Sequence, residues 1–129
     1  MKILMVDDDA EDRDIIQLSM ESIEAPNTIV FAENGEQALS LLHNDSQLGH
    51  IPRLIVLDLN MPRMNGTETL RSLKNDIRFK NIPVIIFSTS INPSEKEKCR
   101  QLGAHSFITK PISFQESMEI AHIFLDVIK

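Results

Sequence analysis

The sequence predicts an α/β domain in which five parallel strands form one doubly wound sheet with helices on both faces. Short aliphatic runs alternate with amphipathic stretches along the chain of 129 residues, which is the order of repeated βα units. Several of these runs are continuously apolar, as is typical of strands that are covered on both faces. We therefore expect one domain over residues 1–129 without an output domain, and a sheet with strand order 2-1-3-4-5.

The predicted strands are short and rich in Ile, Val and Phe. They are Lys2–Val6, Thr28–Ala32, Arg53–Asp58, Val84–Ser88 and Ser106–Lys110. Between them lie stretches in which apolar residues recur every three or four positions, which predicts helices. The predicted apolar faces are Ile16/Met20/Ile23, Ala38/Leu41/Leu42, Leu70/Leu73 and Ile120/Phe124/Val127. The segment His43–Arg53 is expected to be the longest loop.

Capping residues mark the last two predicted helices. Asn92 is the expected N-cap of the fourth helix, with Pro93 at its first position and Gly103 where a left-handed C-terminal cap would lie. In the fifth helix, Ser113 and Glu116 have the spacing of a capping box. These signals place one helix after the fourth strand and another after the fifth.

Composition and charge argue against several classes of function. The net charge of −6 disfavours nucleic-acid binding, which needs clustered Lys and Arg. No apolar run approaches the length of a membrane span, and the N-terminus lacks the pattern of a secretory signal. The single cysteine, Cys99, cannot form an internal disulfide. We expect a cytoplasmic domain that contacts neither a membrane nor nucleic acid directly.

Acidic residues follow two predicted strands at the point where each strand ends. Asp7, Asp8 and Asp9 follow the first strand, and Asp58 ends the third. In a 2-1-3-4-5 order these strands are neighbours, so the acidic residues meet at the edge where doubly wound sheets bind ligands. Carboxylates this close raise one another's pKa, and Mg²⁺ is a cation that one or two carboxylates commonly hold. The sequence therefore predicts a Mg²⁺ site, with Asp9 assigned instead to the N-cap of the first helix or to a solvated position.

Two more polar residues belong to the same predicted edge. Ser88 ends the fourth strand, with Thr89 as the less favoured alternative, and Lys110 ends the fifth strand before Pro111. A lysine there supplies a counter-charge for an anion, and a hydroxyl can donate a hydrogen bond to a phosphoryl oxygen. This combination indicates a carboxylate nucleophile, Asp58, that accepts a phosphoryl group.

Four segments resemble the signature segments of response-regulator receiver domains, the CheY-like family of two-component signalling. They are "ILMVDDD", "LIVLDLNMPRMNG", "VIIFSTS" and "FITKP". The resemblance implies that Asp58 is the phosphoacceptor and that Asp7 and Asp8 form the acidic pair, with Asp8 the more direct Mg²⁺ ligand. It also implies that Asn60 contributes its backbone carbonyl to the ion.

The resemblance assigns further roles near the site. Ser88 matches the hydroxyl residue that moves toward the phosphoryl group, and Lys110 matches the family's lysine. Phe107 matches an aromatic that rotates inward on activation, with a plain core residue as the alternative. The bond between Lys110 and Pro111 is expected to be cis, and Asn60 and Ser90 match positions that tune hydrolysis of the phosphorylated state.

The implied function is that of a stand-alone response regulator rather than an enzyme with a separate substrate. Its expected partners are a sensor histidine kinase, of the phytochrome type by a diffuse similarity, or a histidine phosphotransfer protein. A downstream protein would bind the face formed by the fourth helix, fifth strand and fifth helix, and a homodimer through the last helices is also predicted. The alternative function is a receiver-fold interaction module that phosphate does not control.

Two other functions of similar folds are disfavoured. A flavodoxin-type electron carrier needs a phosphate-binding loop after the first strand, where this chain has three aspartates, and the chain has no Trp or Tyr to stack on a flavin. A nucleotide-binding enzyme needs a glycine-rich fingerprint that the sequence lacks.

Overall fold

The computed structural model describes residues 2–89 and 92–129, and these form a parallel five-stranded sheet with helices on both faces. The elements are β1 Ile3–Val6, α1 Ala10–Ser22, β2 Ile29–Ala32, α2 Gly35–Gln47, β3 Leu54–Leu57, α3 Gly66–Lys74, β4 Val84–Ser88, α4 Pro93–Leu102, β5 Ser106–Thr109 and α5 Phe114–Val127. The strand order is β2-β1-β3-β4-β5, and every pairing is parallel. The predicted fold class and strand order are confirmed.

Two apolar cores lie on opposite faces of the sheet. Alternate residues of β1 and β3 point to opposite faces because side chains alternate along a strand. Leu4 and Leu57 belong to the core shared with α2, α3 and α4, whereas Met5 and Val56 belong to the core shared with α1 and α5. All residues of β1, β3 and β4 are buried, which explains why these strands read as continuous apolar runs.

The predicted helix caps are present in the structure. The side chains of Asp9, Asn92 and Ser113 each accept hydrogen bonds from backbone N–H groups in the first turns of α1, α4 and α5. Gly103 ends α4 with φ of 104°, a left-handed conformation that glycine adopts without steric strain. The carboxylate of Glu116 accepts from the backbone N–H of Ile112, one residue before the N-cap that a capping box would engage.

The prediction of a loop over His43–Arg53 is wrong in its first half. Helix α2 continues to Gln47, so only residues 48–53 connect it to β3. The extra turn is supported by the segment before β4, where the His43 ring lies edge-on to Phe79 at 6.2 Å and Arg78 Nη1 lies 3.1 Å from His43 Nδ1. These tertiary contacts stabilise a turn whose own residues have modest helix propensity.

None of the helices within residues 2–89 and 92–129 is long and apolar enough to cross a bilayer.

Candidate functional site

The pairing of β1 with β3 brings two carboxylates together at the carboxyl edge of the sheet. Val6 pairs with Leu57, so Asp7 and Asp58 follow equivalent positions of neighbouring strands. The backbone N–H of Asp58 donates to the carbonyl oxygen of Val6 at 3.0 Å, so the pairing of β1 with β3 continues in the same register to Asp58. Both aspartates are buried, whereas Asp8 is exposed at the mouth of the site.

Asp7, Asp8 and Asp58 can present one oxygen each within 4.8 Å of one another. The buried Asp7 Oδ2 has no hydrogen-bond partner among the described residues. A buried carboxylate oxygen that accepts no hydrogen bond is costly unless nearby positive charge stabilises it. Carboxylate oxygens are the ligands that Mg²⁺ prefers, so this group fits a divalent cation at the predicted place.

Lys110 enters the site from the end of β5. Its Nζ lies 3.2 Å from Asp58 Oδ2 and 2.9 Å from Asp7 Oδ2. The contact with Asp58 is a hydrogen bond, whereas the contact with Asp7 is an ion pair in an orientation that leaves Asp7 Oδ2 without a hydrogen bond. The lysine is buried together with both carboxylates, so solvent screens these charges only weakly.

The third partner of Lys110 is Asp12, a residue that the sequence reasoning missed. Asp12 Oδ2 lies 2.7 Å from Lys110 Nζ, the shortest of the three contacts. Asp12 lies in the first turn of α1, where an acidic side chain is common because of the helix dipole. The sequence did contain a signal for this contact. The predicted N-cap at Asp9 places Asp12 in the first turn of α1, directly after the acidic loop of the site.

Burial and ion pairing act in opposite senses on the pKa values of Asp7 and Lys110, and burial prevails only for Asp7. Burial raises the pKa of Asp7 to about 6, against the opposing effects of a hydrogen bond from the Asp9 backbone N–H and of the Lys110 charge. Burial alone would lower the pKa of Lys110, but Asp12, Asp7 and Asp58 outweigh it and raise that pKa. Lys110 is therefore a permanent cation in the site, whereas Asp7 titrates near neutrality when no metal ion is bound.

The second oxygen of Asp58 faces a hydroxyl and a backbone donor. Ser88 Oγ donates to Asp58 Oδ1 at 3.3 Å, and the backbone N–H of Asn60 donates to the same oxygen, also at 3.3 Å. Ser88 is buried and Thr89 is exposed, which favours Ser88 as the hydroxyl of the site. The role of the Asn60 carbonyl as an ion ligand stays a prediction, and Ser90 lies outside the described residues.

Two backbone supports hold the aspartates in place. Arg13 Nη1 donates to the carbonyl oxygen of Asp7 at 2.7 Å, a contact that the sequence reasoning did not anticipate. Gly66 begins α3 so close to β3 that an added Cβ would lie 2.3 Å from the carbonyl oxygen of Asp58. Only a residue without a side chain fits there, which explains why the chain has a glycine at the start of α3.

Phe107 and Pro111 are the positions to which the sequence assigned a switch and a tight turn. Phe107 is half-buried against the core shared with α2, α3 and α4, and Lys96 Nζ lies 5.4 Å from the centroid of its ring. Its inward rotation stays a prediction. The bond between Lys110 and Pro111 is trans, so the expected cis bond is wrong. The cis form of such bonds is intrinsically less stable by about 0.5–1 kcal/mol, and the turn after β5 closes without it.

A doubly wound sheet that gathers three carboxylates, a lysine and a hydroxyl at one carboxyl edge defines the receiver class of signalling domain. The chain belongs to the response regulator receiver domain family, which it matches over residues 3–122. Two-component signalling is thus the system to which this domain belongs, and the acidic cluster is typical of the family's phosphoacceptor site.

Relatives and solved structures agree with this assignment. The chain is 30% identical to chemotaxis protein CheY1 of Helicobacter pylori over 125 residues, 97% of each chain. It is 34% identical to two-component response regulator ORR11 of Oryza sativa subsp. indica over 110 residues, 85% of this chain and 71% of the relative. The phosphorylated cyanobacterial phytochrome response regulator RcpA superposes with a TM-score of 0.86 at 31% identity, covering 97% of this chain and 91% of that one.

Proposed function

We propose that Asp58 accepts a phosphoryl group from the phosphohistidine of a sensor histidine kinase, in a reaction that requires Mg²⁺. The observation that supports this most directly is the surrounding of the Asp58 carboxylate. One oxygen accepts a hydrogen bond from Lys110, the other accepts from Ser88, and the Asp7 and Asp8 carboxylates lie beside it. A carboxylate that could act as the nucleophile, a counter-charge, a hydroxyl donor and two carboxylates that could help to hold a cation thus lie close together.

In this proposal the carboxylate of Asp58 attacks the phosphorus atom of the donor. The P–N bond to the donor's imidazole breaks, the imidazole leaves with the electron pair, and an acyl phosphate forms on Asp58. Lys110 neutralises charge on the phosphoryl oxygens, which is where phosphoryl transfer most needs stabilisation. Mg²⁺, held by Asp7, Asp8 and Asp58, with the Asn60 carbonyl as the further predicted ligand, would supply additional positive charge.

The phosphorylated domain would then signal by a change in packing. Ser88 lies at the end of β4 and Phe107 lies on the neighbouring strand β5, so a movement of the Ser88 hydroxyl toward the phosphoryl group can be passed to Phe107. The face of α4, β5 and α5 would carry that change to a downstream protein. Hydrolysis of the acyl phosphate would return the domain to rest, and beyond these two steps on itself we assign it no enzyme activity.

The partners are proposed on the basis of similarity. RcpA is a phytochrome response regulator by name and resembles this chain over 97% of its length, which favours a phytochrome-type sensor kinase as the donor. A histidine phosphotransfer protein is the alternative donor or acceptor, because the same phosphohistidine chemistry serves both. The proposal places the exchange in the cytoplasm, and a homodimer through the last helices remains part of it.

The test is intact-mass spectrometry after incubation with acetyl phosphate, with and without Mg²⁺. The wild type is expected to gain one phosphoryl group only when Mg²⁺ is present, and Asp58→Asn is expected to gain none. Asp14→Asn, an exposed change of the same kind on α1, is the matched control and should behave as the wild type. A wild type that is folded by circular dichroism yet gains no adduct would favour the phosphate-independent interaction module.

A further inference from the structure

The Asp12 carboxylate holds the lysine of the site but stands apart from the group that can hold the ion. Asp12 Oδ2 accepts a hydrogen bond from Lys110 Nζ at 2.7 Å. The possible cation ligands are Asp7, Asp8 and Asp58, and Asp12 is not among them. Its side chain is 27% exposed, whereas that of Lys110 is 8% exposed. Asp12 therefore reaches the buried ammonium from the outer, α1 side.

The other two partners of Lys110 both have a second task in the proposed reaction. Asp58 becomes an acyl phosphate, and its oxygen can no longer serve Lys110 as an ionised carboxylate. Asp7 pairs with Lys110 at 2.9 Å without a hydrogen bond to its buried Oδ2, and it is one of the three carboxylates that could hold a cation. A bound cation competes with Lys110 for that oxygen, since the two positive charges repel each other at such distances. Asp12 is thus the ionised partner that neither event removes.

The start of α1 fixes Asp12 in this position. Asp9 caps the helix by accepting hydrogen bonds from the backbone N–H groups of Glu11 at 2.9 Å and Asp12 at 3.4 Å. The backbone N–H of Asp9 in turn donates to Asp7 Oδ1 at 2.9 Å. A continuous set of hydrogen bonds thus joins the acidic loop after β1 to the turn that carries Asp12.

We propose that Asp12 is a positioning residue that keeps Lys110 Nζ directed at the phosphoacceptor while Asp7 and Asp58 bind the ion and the phosphoryl group. The proposal rests on the proposed function, since it specifies how that site keeps its lysine in place. A purely structural role, in which Asp12 only favours the start of α1 through the helix dipole, gives a different expectation. It predicts a small loss of thermal stability and no effect on Lys110.

The first measurement is the order of the Lys110 side chain at saturating Mg²⁺ and without any phosphodonor, read by NMR relaxation of its ¹³Cε in protein with labelled lysine. The Lys110 signal is assigned by its loss in Lys110→Arg. Asp12→Asn preserves the shape of the side chain and removes its charge, and Lys110 should become more mobile. Asp12→Glu should restore most of the order, and Asp14→Asn, an exposed change on the same helix, should leave it unchanged.

The second measurement is the rate of phosphorylation by acetyl phosphate as a function of Mg²⁺ concentration. At saturating Mg²⁺ the rate for Asp12→Asn should fall about fivefold, the effect of losing one partly exposed charged hydrogen bond. The half-saturating Mg²⁺ concentration should stay that of the wild type, because Asp12 is not a ligand. Asp7→Asn should instead raise that concentration.

Unchanged order of Lys110 in Asp12→Asn would overturn the proposal. A raised half-saturating Mg²⁺ concentration in that variant would overturn it as well, because Asp12 would then act on the ion. The NMR signal is read without a phosphodonor, so a wild type that accepts no phosphoryl group would overturn the proposed function and leave the Asp12 contact to be judged by the mobility of Lys110.

Discussion

Binding of Mg²⁺ to this site should weaken as the pH falls from about 7.5 to about 5, because Asp7 must lose its proton to act as a ligand. Asp7 is fully buried at the end of β1, and that burial raises its pKa to about 6 in the metal-free protein. The neighbouring Lys110 ammonium, 2.9 Å away, opposes this rise without cancelling it. Protons and Mg²⁺ therefore compete for the same carboxylate.

The size of the effect follows from the pKa. One pH unit below a pKa of about 6, roughly one molecule in eleven has Asp7 ionised. The apparent Kd for Mg²⁺ should thus rise about tenfold between pH 7.5 and pH 5, which corresponds to about 1.4 kcal/mol.

Isothermal titration calorimetry with MgCl₂ at the two pH values measures this change. Asp7→Asn is the matched control, since it removes this carboxyl group and keeps every other ionisable side chain of the chain. In that variant the Kd should be weak and nearly independent of pH. A wild-type Kd that does not change with pH, or a tenfold change that survives in Asp7→Asn, would refute the assignment to Asp7.

The same pKa sets the sign of a stability effect in the metal-free protein. The folded pKa of Asp7, about 6, lies above its unfolded value of 3.8, so the folded state binds the proton more tightly. The resulting stabilisation is complete below pH 3.8 and is lost as the pH rises through about 6. The size of this stabilisation is at most about 3 kcal/mol. In urea unfolding at neutral pH, where it is absent, Mg²⁺ should increase the free energy of unfolding.

Three further substitutions test the geometry of the site. Lys110→Met leaves the surrounding carboxylates without their buried cation and should lower the free energy of unfolding by roughly 3 kcal/mol in urea titrations without Mg²⁺; an unchanged value would contradict the burial of these charges. Ser88→Ala removes the hydroxyl that donates to Asp58 and should slow labelling by acetyl phosphate roughly five- to tenfold, whereas Ser88→Thr should keep most of the rate. Gly66→Ala places a Cβ against the Asp58 carbonyl oxygen and should lower the free energy of unfolding by about 2–3 kcal/mol. A variant as stable as the wild type would show that the backbone around Gly66 can shift to accept the Cβ.

Much of the fold was predictable because local signals and tertiary contacts agree. Buried strands read as aliphatic runs, and the caps at Asp9, Asn92 and Ser113 lie where the sequence placed them. The end of α2 was missed because its extra turn depends on an edge contact between His43 and Phe79, two residues far apart in sequence. Local propensity carries no information about such a contact.

The site was predictable to the extent that strand ends determine it. Asp7, Asp58, Ser88 and Lys110 follow from the rule that parallel strands gather their carboxyl ends at one edge. Asp12 could not be found that way, because it reaches the site from a helix, and its direction depends on how α1 leaves the acidic loop. The trans bond after Lys110 was missed for a similar reason, since the path of a turn is set by its tertiary contacts.

From the balance of charges at the carboxyl edge of the sheet, we expect ion binding and phosphoryl acceptance to be coupled. Asp7, Asp12 and Asp58 all contact Lys110, and Asp8 lies beside two of them, so carboxylates outnumber the lysine at this edge. A phosphoryl group would add further negative charge where carboxylates are already in excess, and burial makes that repulsion stronger than it would be in water. A divalent cation removes much of the excess, so it should favour the phosphorylated state, and by linkage phosphorylation should favour the cation. On this argument the buried Asp58 at the end of an aliphatic strand is stabilised by its ion pair with Lys110 at rest, and under the proposed function it would become reactive when the ion balances the carboxylates around it.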